Sequence, residues 1–137
     1  MSILIIDDFQ EERDLLFTIL HSAGFGPLLP VGTAREGLQL LGVGKRGKQT
    51  SGIDLVLMDI EMPEIDGLEA CQRIRMEDQL QNLPIIVITA HTEAKDIQAA
   101  YTCGATDYIR KPVIPAELIA RTANALSLKQ EIDARKL

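Results

Sequence analysis

Four short stretches of the chain are apolar almost without a break: SILII at 2–6, DLVLM at 54–58, PIIVIT at 84–89 and DYI at 107–109. None alternates with polar residues, which is the pattern of strands covered on both faces in a parallel sheet. A weaker fifth run, PLLPV at 27–31, carries two prolines and so suits an edge strand. The intervening segments have helical spacing. In QEERDLLFTILHSAGF, 10–25, Leu15, Leu16, Ile19 and Leu20 share one face and Gly24 is placed to cap the C-terminus. TAREGLQLL begins on Thr33 as an N-cap, and LEACQRIR follows Gly67. TEAKDIQAAYTCG runs from Thr92 to Gly104, and a last helix starts near Pro115 and continues towards Leu137. Strands alternating with helices predict a doubly wound α/β fold around a parallel sheet.

In such a fold, ligands bind beyond the carboxyl ends of the strands. Asp7 and Asp8 follow the first strand, Asp59 the third, Thr89 closes the fourth, and Lys111 lies just past the fifth. Five polar residues from four strands therefore meet at one rim. Taken alone, Asp7 and Asp8 read equally well as a turn and N-cap for the first helix. Three carboxylates together repel one another and resist full ionisation, unless a divalent cation joins them. An all-oxygen set suits Mg²⁺, which keeps some of its waters and often carries a phosphate. The Lys111 ammonium and the Thr89 hydroxyl suit phosphoryl oxygens. Asp59, before the Pro- and Gly-bearing loop IEMPEIDG, is the carboxylate best placed to act as a nucleophile towards phosphorus.

Composition narrows the alternatives. The 137 residues suit one domain, and 46% hydrophobic with 25% charged residues argues against disorder. No run approaches the roughly 20 apolar residues of a membrane helix, and the N-terminus does not read as a secretory leader. A net charge of −6 argues against direct nucleic-acid binding; the one basic cluster, KRGK at 45–48, reads as solvated loop within the irregular insertion at 42–52. Cys71 and Cys103 lack metal-ligand spacing and read as buried thiols in a reducing cytoplasm.

Four motifs, in this order, resemble the receiver domain of two-component response regulators: DD at 7–8, DLVLMDIEMPEIDG around Asp59, TA at 89–90 and GATDYIRKP at 104–112. The likeness runs from Ser2 to about Leu128. It implies a flavodoxin-like five-stranded sheet in the order 2-1-3-4-5 with five helices, a receiver domain at 1–128, and an extension of the last helix at 129–137 as a linker to an output domain. It implies Asp59 as phosphoacceptor from a histidine kinase or phosphotransfer protein. Mg²⁺, or Mn²⁺ in its place, would be held by Asp8 and Asp59, by Asp7 mainly through water, and by the backbone carbonyl of Glu61. Lys111, Thr89 and Ala90 would bind the phosphoryl group, and the Lys111–Pro112 peptide would be cis. Thr89 and Tyr108 would form the switch, remodelling the face of the fourth helix, fifth strand and fifth helix, which could pair two copies. Glu61 and His91 would flank the site and modulate phosphate loss. The implied protein is a cytoplasmic switch with no separate substrate, no membrane and no nucleic acid of its own.

Other functions make different demands. An aspartyl-phosphate phosphohydrolase places D-x-D after its first strand and carries a cap, whereas adjacent aspartates stand here. An FMN carrier wants a Ser/Thr/Gly-rich loop where this chain has an acid pair. A pseudo-receiver would have lost the acids, Thr89 or Lys111. Tyr101 has no motif behind it and reads as packing. In the tail, Leu118, Ala125 and Ile132 recur every seven residues, a short heptad signal for a signalling helix. Gln10, Glu11, Arg13 and Asp14 are candidate kinase contacts.

Overall fold

The computed structural model describes residues 1–45 and 51–136. Strands β1 (Ser2–Ile6), β2 (Leu28–Val31), β3 (Ile53–Asp59), β4 (Ile85–Thr89) and β5 (Asp107–Arg110) alternate with helices α1 (Gln10–Ser22), α2 (Ala34–Leu41), α3 (Gly67–Arg75), α4 (Ala94–Cys103) and α5 (Pro115–Arg135). All neighbours are parallel, in the order β2-β1-β3-β4-β5. This is the doubly wound, flavodoxin-like arrangement expected from the sequence.

The uninterrupted apolar runs have a direct physical cause. Side chains alternate across a strand, so a strand covered on both sides must be apolar at every position. Leu4, Ile6, Val56, Met58, Ile85 and Val87 face Leu38, Leu41, Ala70, Cys71, Ile74 and Ala100, on helices α2, α3 and α4. Ile3, Ile5, Leu55, Leu57, Ile86, Ile88 and Ile109 face Leu16 and Leu20 of α1 and Leu118, Ala125 and Leu126 of α5. At about 1.5–3 kcal/mol for each large side chain fully buried, these two layers dominate the stability of the fold.

Local departures from the expected boundaries are small, and each has a physical reason. Strand β3 runs one residue further at each end than DLVLM, which makes Asp59 its last residue, paired with Ile88. Helix α4 starts at Ala94 rather than Thr92, because Glu93 is extended (φ −68°, ψ 157°). On α1 the inward residues are Leu16 and Leu20, whereas Leu15 is 51% exposed beside the rim. Phe9, not Asp7 or Asp8, is the N-cap of α1. Thr33 caps α2 as expected, accepting the Glu36 N–H at 3.1 Å. Cys71 is buried but Cys103 only half-buried, and both are free. Two of the three heptad positions of α5, Leu118 and Ala125, lie in the domain's own core against the sheet, and Ile132 lies beyond it. Beyond Leu128 the helix still touches the domain: Lys129 lies 3.7 Å from Asp54 of β3, and it pairs along the helix with Asp133 at 2.5 Å. Of the insertion at 42–52 and its KRGK cluster, residues 46–50 lie outside the described residues.

Gly67 ties the fold to the rim. Its N–H donates to Ile60 O at 2.9 Å, folding the 60–66 loop back on the end of β3. A Cβ there would lie 2.6 Å from Asp59 O and 2.7 Å from Ile60 Cα, both backbone atoms with little room to yield. Gly67→Ala is expected to cost about 1–3 kcal/mol, read as a lower urea midpoint with an unchanged slope.

Candidate functional site

The carboxyl edge of the sheet carries the site. Asp7 is the first residue past β1, Asp59 and Thr89 end β3 and β4, and Lys111 is the first residue past β5. Asp7, Asp59 and Thr89 are three of the four buried polar residues among those described, the fourth being Thr122 of α5.

Lys111 is the electrostatic hub. Its Nζ donates to Asp59 Oδ1 at 3.1 Å and to Glu12 Oε2 at 2.9 Å. Burial opposes the ammonium, yet its bonds to Glu12 and Asp59 outweigh that and push its pKa up to about 12. Lys111 is therefore charged at neutral pH. Asp59 Oδ1 also accepts the Glu61 N–H at 3.2 Å. Burial raises the Asp59 pKa, with Lys111 opposing the rise. Asp7 Oδ1 accepts the Phe9 N–H at 2.9 Å, while Oδ2 is buried and has no partner among the described residues. Burial, then the charges of Asp59 and Glu12, push Asp7 up to about 7, against the pull of the Phe9 N–H.

The acids that meet are Asp7, Glu12 and Asp59, with one oxygen from each lying within 4.8 Å of the others. Asp8 is exposed and borders a separate shallow cavity with Thr33, Arg35, Met62 and Glu64. The sequence reading missed Glu12. It sits in the first turn of α1, five residues after Asp7, and on a helix surface a charged side chain looks like solvated polarity until the facing loop is known. An unpaired, buried carboxylate oxygen among crowded acids is the environment a hard cation relieves, and the donor set is all oxygen. The residues present therefore fit Mg²⁺. The Glu61 carbonyl accepts no hydrogen bond among the described residues, which leaves it available as a further oxygen.

Thr89 lies beside this cluster but is bonded away from it. Its hydroxyl donates to Glu61 Oε1 at 3.2 Å and accepts the His91 N–H at 2.9 Å. His91 Nε2 lies 3.5 Å from the same Glu61 oxygen, and Ala90 between them is exposed. The Lys111–Pro112 peptide is cis, as is Gly26–Pro27. On β5, Tyr108 is half-buried and packs edge-on against Tyr101, with ring centroids 6.2 Å apart. Arg121 of α5 lies over the Tyr108 ring at 5.9 Å and is itself held by Asp107 at 2.8 Å and Glu117 at 3.2 Å. Of the surface or core packing read for Tyr101 from the sequence, the structure shows the surface form: it is 44% exposed and rests against Tyr108.

Among the described residues no helix is long and apolar enough to cross a membrane. Residues 3–123 match the family model of the response regulator receiver domain. The response regulator SaeR of Staphylococcus epidermidis is 35% identical over 125 residues, covering 91% of this chain and 50% of SaeR. The chain thus spans half the length of that curated relative. A Chloroflexus aurantiacus structure assigned as a response regulator superposes with a TM-score of 0.81 at 30% identity, over 92% of this chain and 97% of that one. The receiver domain of the Pseudomonas aeruginosa sensor histidine kinase PA1611, solved with magnesium coordinated in its active-site cleft, gives a TM-score of 0.79 at 25% identity, over 92% and 97%.

Proposed function

The chain belongs to the response regulator receiver domain family, and from that premise we propose that it is a phosphorylation-activated switch with Asp59 as acceptor. One observation carries the reading: Asp59 Oδ1 is held by Lys111 beside an Asp7 oxygen that is buried without a partner. The proposed donor is a phosphohistidine on a histidine kinase or phosphotransfer protein. Asp59 Oδ2, which carries no hydrogen bond among the described residues, bonds to phosphorus as the donor's N–P bond breaks and the imidazole departs with that electron pair. As the family likeness implies, Asp8, Asp59 and the Glu61 carbonyl are proposed to hold Mg²⁺ (or Mn²⁺) directly and Asp7 mainly through water; the Asp7 oxygen with no partner among the described residues supports a place for Asp7 in the set. Bound there, the ion supplies charge neutralisation for the carboxylates and the phosphoryl oxygens. The magnesium in the PA1611 receiver supports this assignment.

Phosphorylation adds about −1.5 to −2 charges and new acceptor oxygens at one point. Lys111 is already within reach. Thr89 must release Glu61 and turn inward, where its hydroxyl and the Ala90 N–H serve the phosphoryl group. Tyr108 follows Thr89, which requires it to leave its place beneath Arg121, and the α4-β5-α5 face is remodelled. Two pre-existing arrangements a few kcal/mol apart suffice for such a switch. The remodelled face is proposed to act on an output domain in a longer chain or on a second copy, with 1–128 as the receiver and 129–137 as the start of the connection. The proposed setting is the cytoplasm, and no separate substrate or nucleic acid is assigned to these residues.

Incubation with Mg²⁺ and acetyl phosphate, followed by intact mass, tests the reading. A Mg²⁺-dependent gain of one phosphoryl group is expected; no adduct and no Mg²⁺ affinity would leave a pseudo-receiver, a binding module on the same fold. Glu61 supplies a second, quantitative expectation. It holds Thr89 outward and places a carboxylate near the phosphoryl group. Glu61→Lys exchanges that charge for a cation and frees Thr89, so phosphate loss should slow by about threefold or more, and Glu61→Asn should slow it less. Decay of the phosphorylated species in each variant measures this. Equal rates across the series would remove Glu61 from the mechanism.

A further inference from the structure

We propose that Glu12 is a positioning residue that holds Lys111 in reserve, so that phosphorylation must break a Glu12–Lys111 ion pair. The inference rests on the reading of Asp59 as phosphoacceptor and adds to it a residue outside the four motifs. Lys111 Nζ lies closer to Glu12 Oε2, at 2.9 Å, than to Asp59 Oδ1, at 3.1 Å. The pair joins residues 99 apart in sequence, fastening the first turn of α1 to the loop after β5. It is partly shielded: the Lys111 side chain is 18% exposed and that of Glu12 36%, and the two residues border a cavity whose other walls are Asp7 and the apolar Leu15, Leu16, Ile88, Pro112 and Val113. Apolar walls strengthen an ion pair, because little water screens it.

Two carboxylates share one ammonium here: Lys111 has a donor for each, but its position and its single charge are divided between them. When Asp59 gains a phosphoryl group, Lys111 is drawn towards the new oxygens. Glu12 then keeps its charge beside a phosphoryl dianion with no cation of its own. It therefore penalises the phosphorylated state relative to the free state and lowers the population of the switch that a given donor can sustain. The competing role for Glu12 is a metal ligand, because its carboxylate lies within 4.8 Å of the Asp7 and Asp59 oxygens. The two roles predict opposite results. A reserve for Lys111 makes removal of the charge favourable to a phosphoryl mimic, whereas a ligand makes it damaging to Mg²⁺ binding.

The deciding experiment titrates beryllofluoride into the Mg²⁺-saturated protein, and Mg²⁺ alone into the same proteins, by calorimetry. Glu12→Gln keeps the shape of the side chain and removes its charge. Glu11→Gln removes the same charge from an exposed neighbour that makes no bond to Lys111 among the described residues. Glu12→Gln is expected to tighten beryllofluoride binding to the Mg²⁺-saturated protein roughly three- to tenfold, with Mg²⁺ affinity lowered only about two- to fivefold by the lost charge and Glu11→Gln close to wild type. An equal gain in Glu11→Gln would reduce the effect to general charge and overturn the proposal. So would unchanged beryllofluoride affinity in Glu12→Gln, or a loss of Mg²⁺ affinity of about tenfold or more, which would make Glu12 a ligand. A wild-type protein that binds no beryllofluoride would instead fail the reading of Asp59 itself. A wild type that binds beside a silent Glu12→Gln fails only the tether.

Discussion

Asp59→Asn abolishes the phosphoryl adduct. That is the largest effect expected of any single change in this chain: wild-type protein gains one phosphoryl group from acetyl phosphate with Mg²⁺, and the variant gains none. The substitution is nearly isosteric and keeps Oδ1, so the Glu61 N–H retains its acceptor and Lys111 retains both Glu12 and an amide oxygen. What is lost is the nucleophile, because an amide is a far poorer attacking group than a carboxylate. Stability should barely fall. Removing the Asp59 charge ends the cost of burying it, the largest cause of its raised pKa, and relieves repulsion from Glu12, and these gains offset the weakened Lys111 bond. A variant that melts like the wild type and carries no phosphate separates chemistry from fold. Stoichiometric phosphate on the variant would move the acceptor to another residue, and mapping the modified peptide would show which.

How much of this was legible in the chain depended on how local the signal was. The strands were readable because burial on both faces forces every residue of 3–6, 55–58 and 85–88 to be apolar. The parallel order followed from the alternation, and the rim from the rule that strand ends carry the ligands. Asp7, Asp59, Thr89 and Lys111 were found this way, since each sits at the end of a recognisable strand. Glu12 was not, because it belongs to a helix and acquires its meaning only from Lys111, 99 residues away. Leu15 was misplaced for a related reason. Periodicity defines an apolar stripe but not its width, and α1 buries Leu16 and Leu20 while leaving Leu15 at the rim. Of the α5 heptad, Leu118 and Ala125 are core, a burial that spacing alone could not tell from a seam between helices. The contact of Arg121 with Tyr108 joins two elements and is invisible to any motif.

Asp7→Asn should stabilise the metal-free protein and remove its response to Mg²⁺. In wild type Asp7 is buried among like charges and its pKa is pushed up from 3.8 to about 7. The unfolded chain releases this proton near 3.8 and the folded protein only near 7, so the folded state binds it more tightly. Stability is therefore highest below about pH 4 as far as this group is concerned, and is lost as pH rises towards 7. The full difference is on the order of 4 kcal/mol above pH 7. Asparagine keeps the Oδ1 that accepts the Phe9 N–H and carries no charge, so the loop geometry survives and the pH slope between about 4 and 7 flattens. For a chain of this size the gain corresponds to a Tm increase of roughly 10–15 °C in metal-free buffer at pH 8. Wild type recovers stability by binding Mg²⁺, about 2.7 kcal/mol at one hundred times Kd, whereas Asp7→Asn recovers little. Thermal melts of both proteins with EDTA and with Mg²⁺ give the four values needed. If Mg²⁺ leaves the wild type unmoved and Asp7→Asn melts lower, Asp7 is an anchor for the turn before α1 and its unpaired oxygen has another explanation. If the four values follow the predicted crossing, the strand-end acids destabilise the free domain and are held in place by the cation they bind.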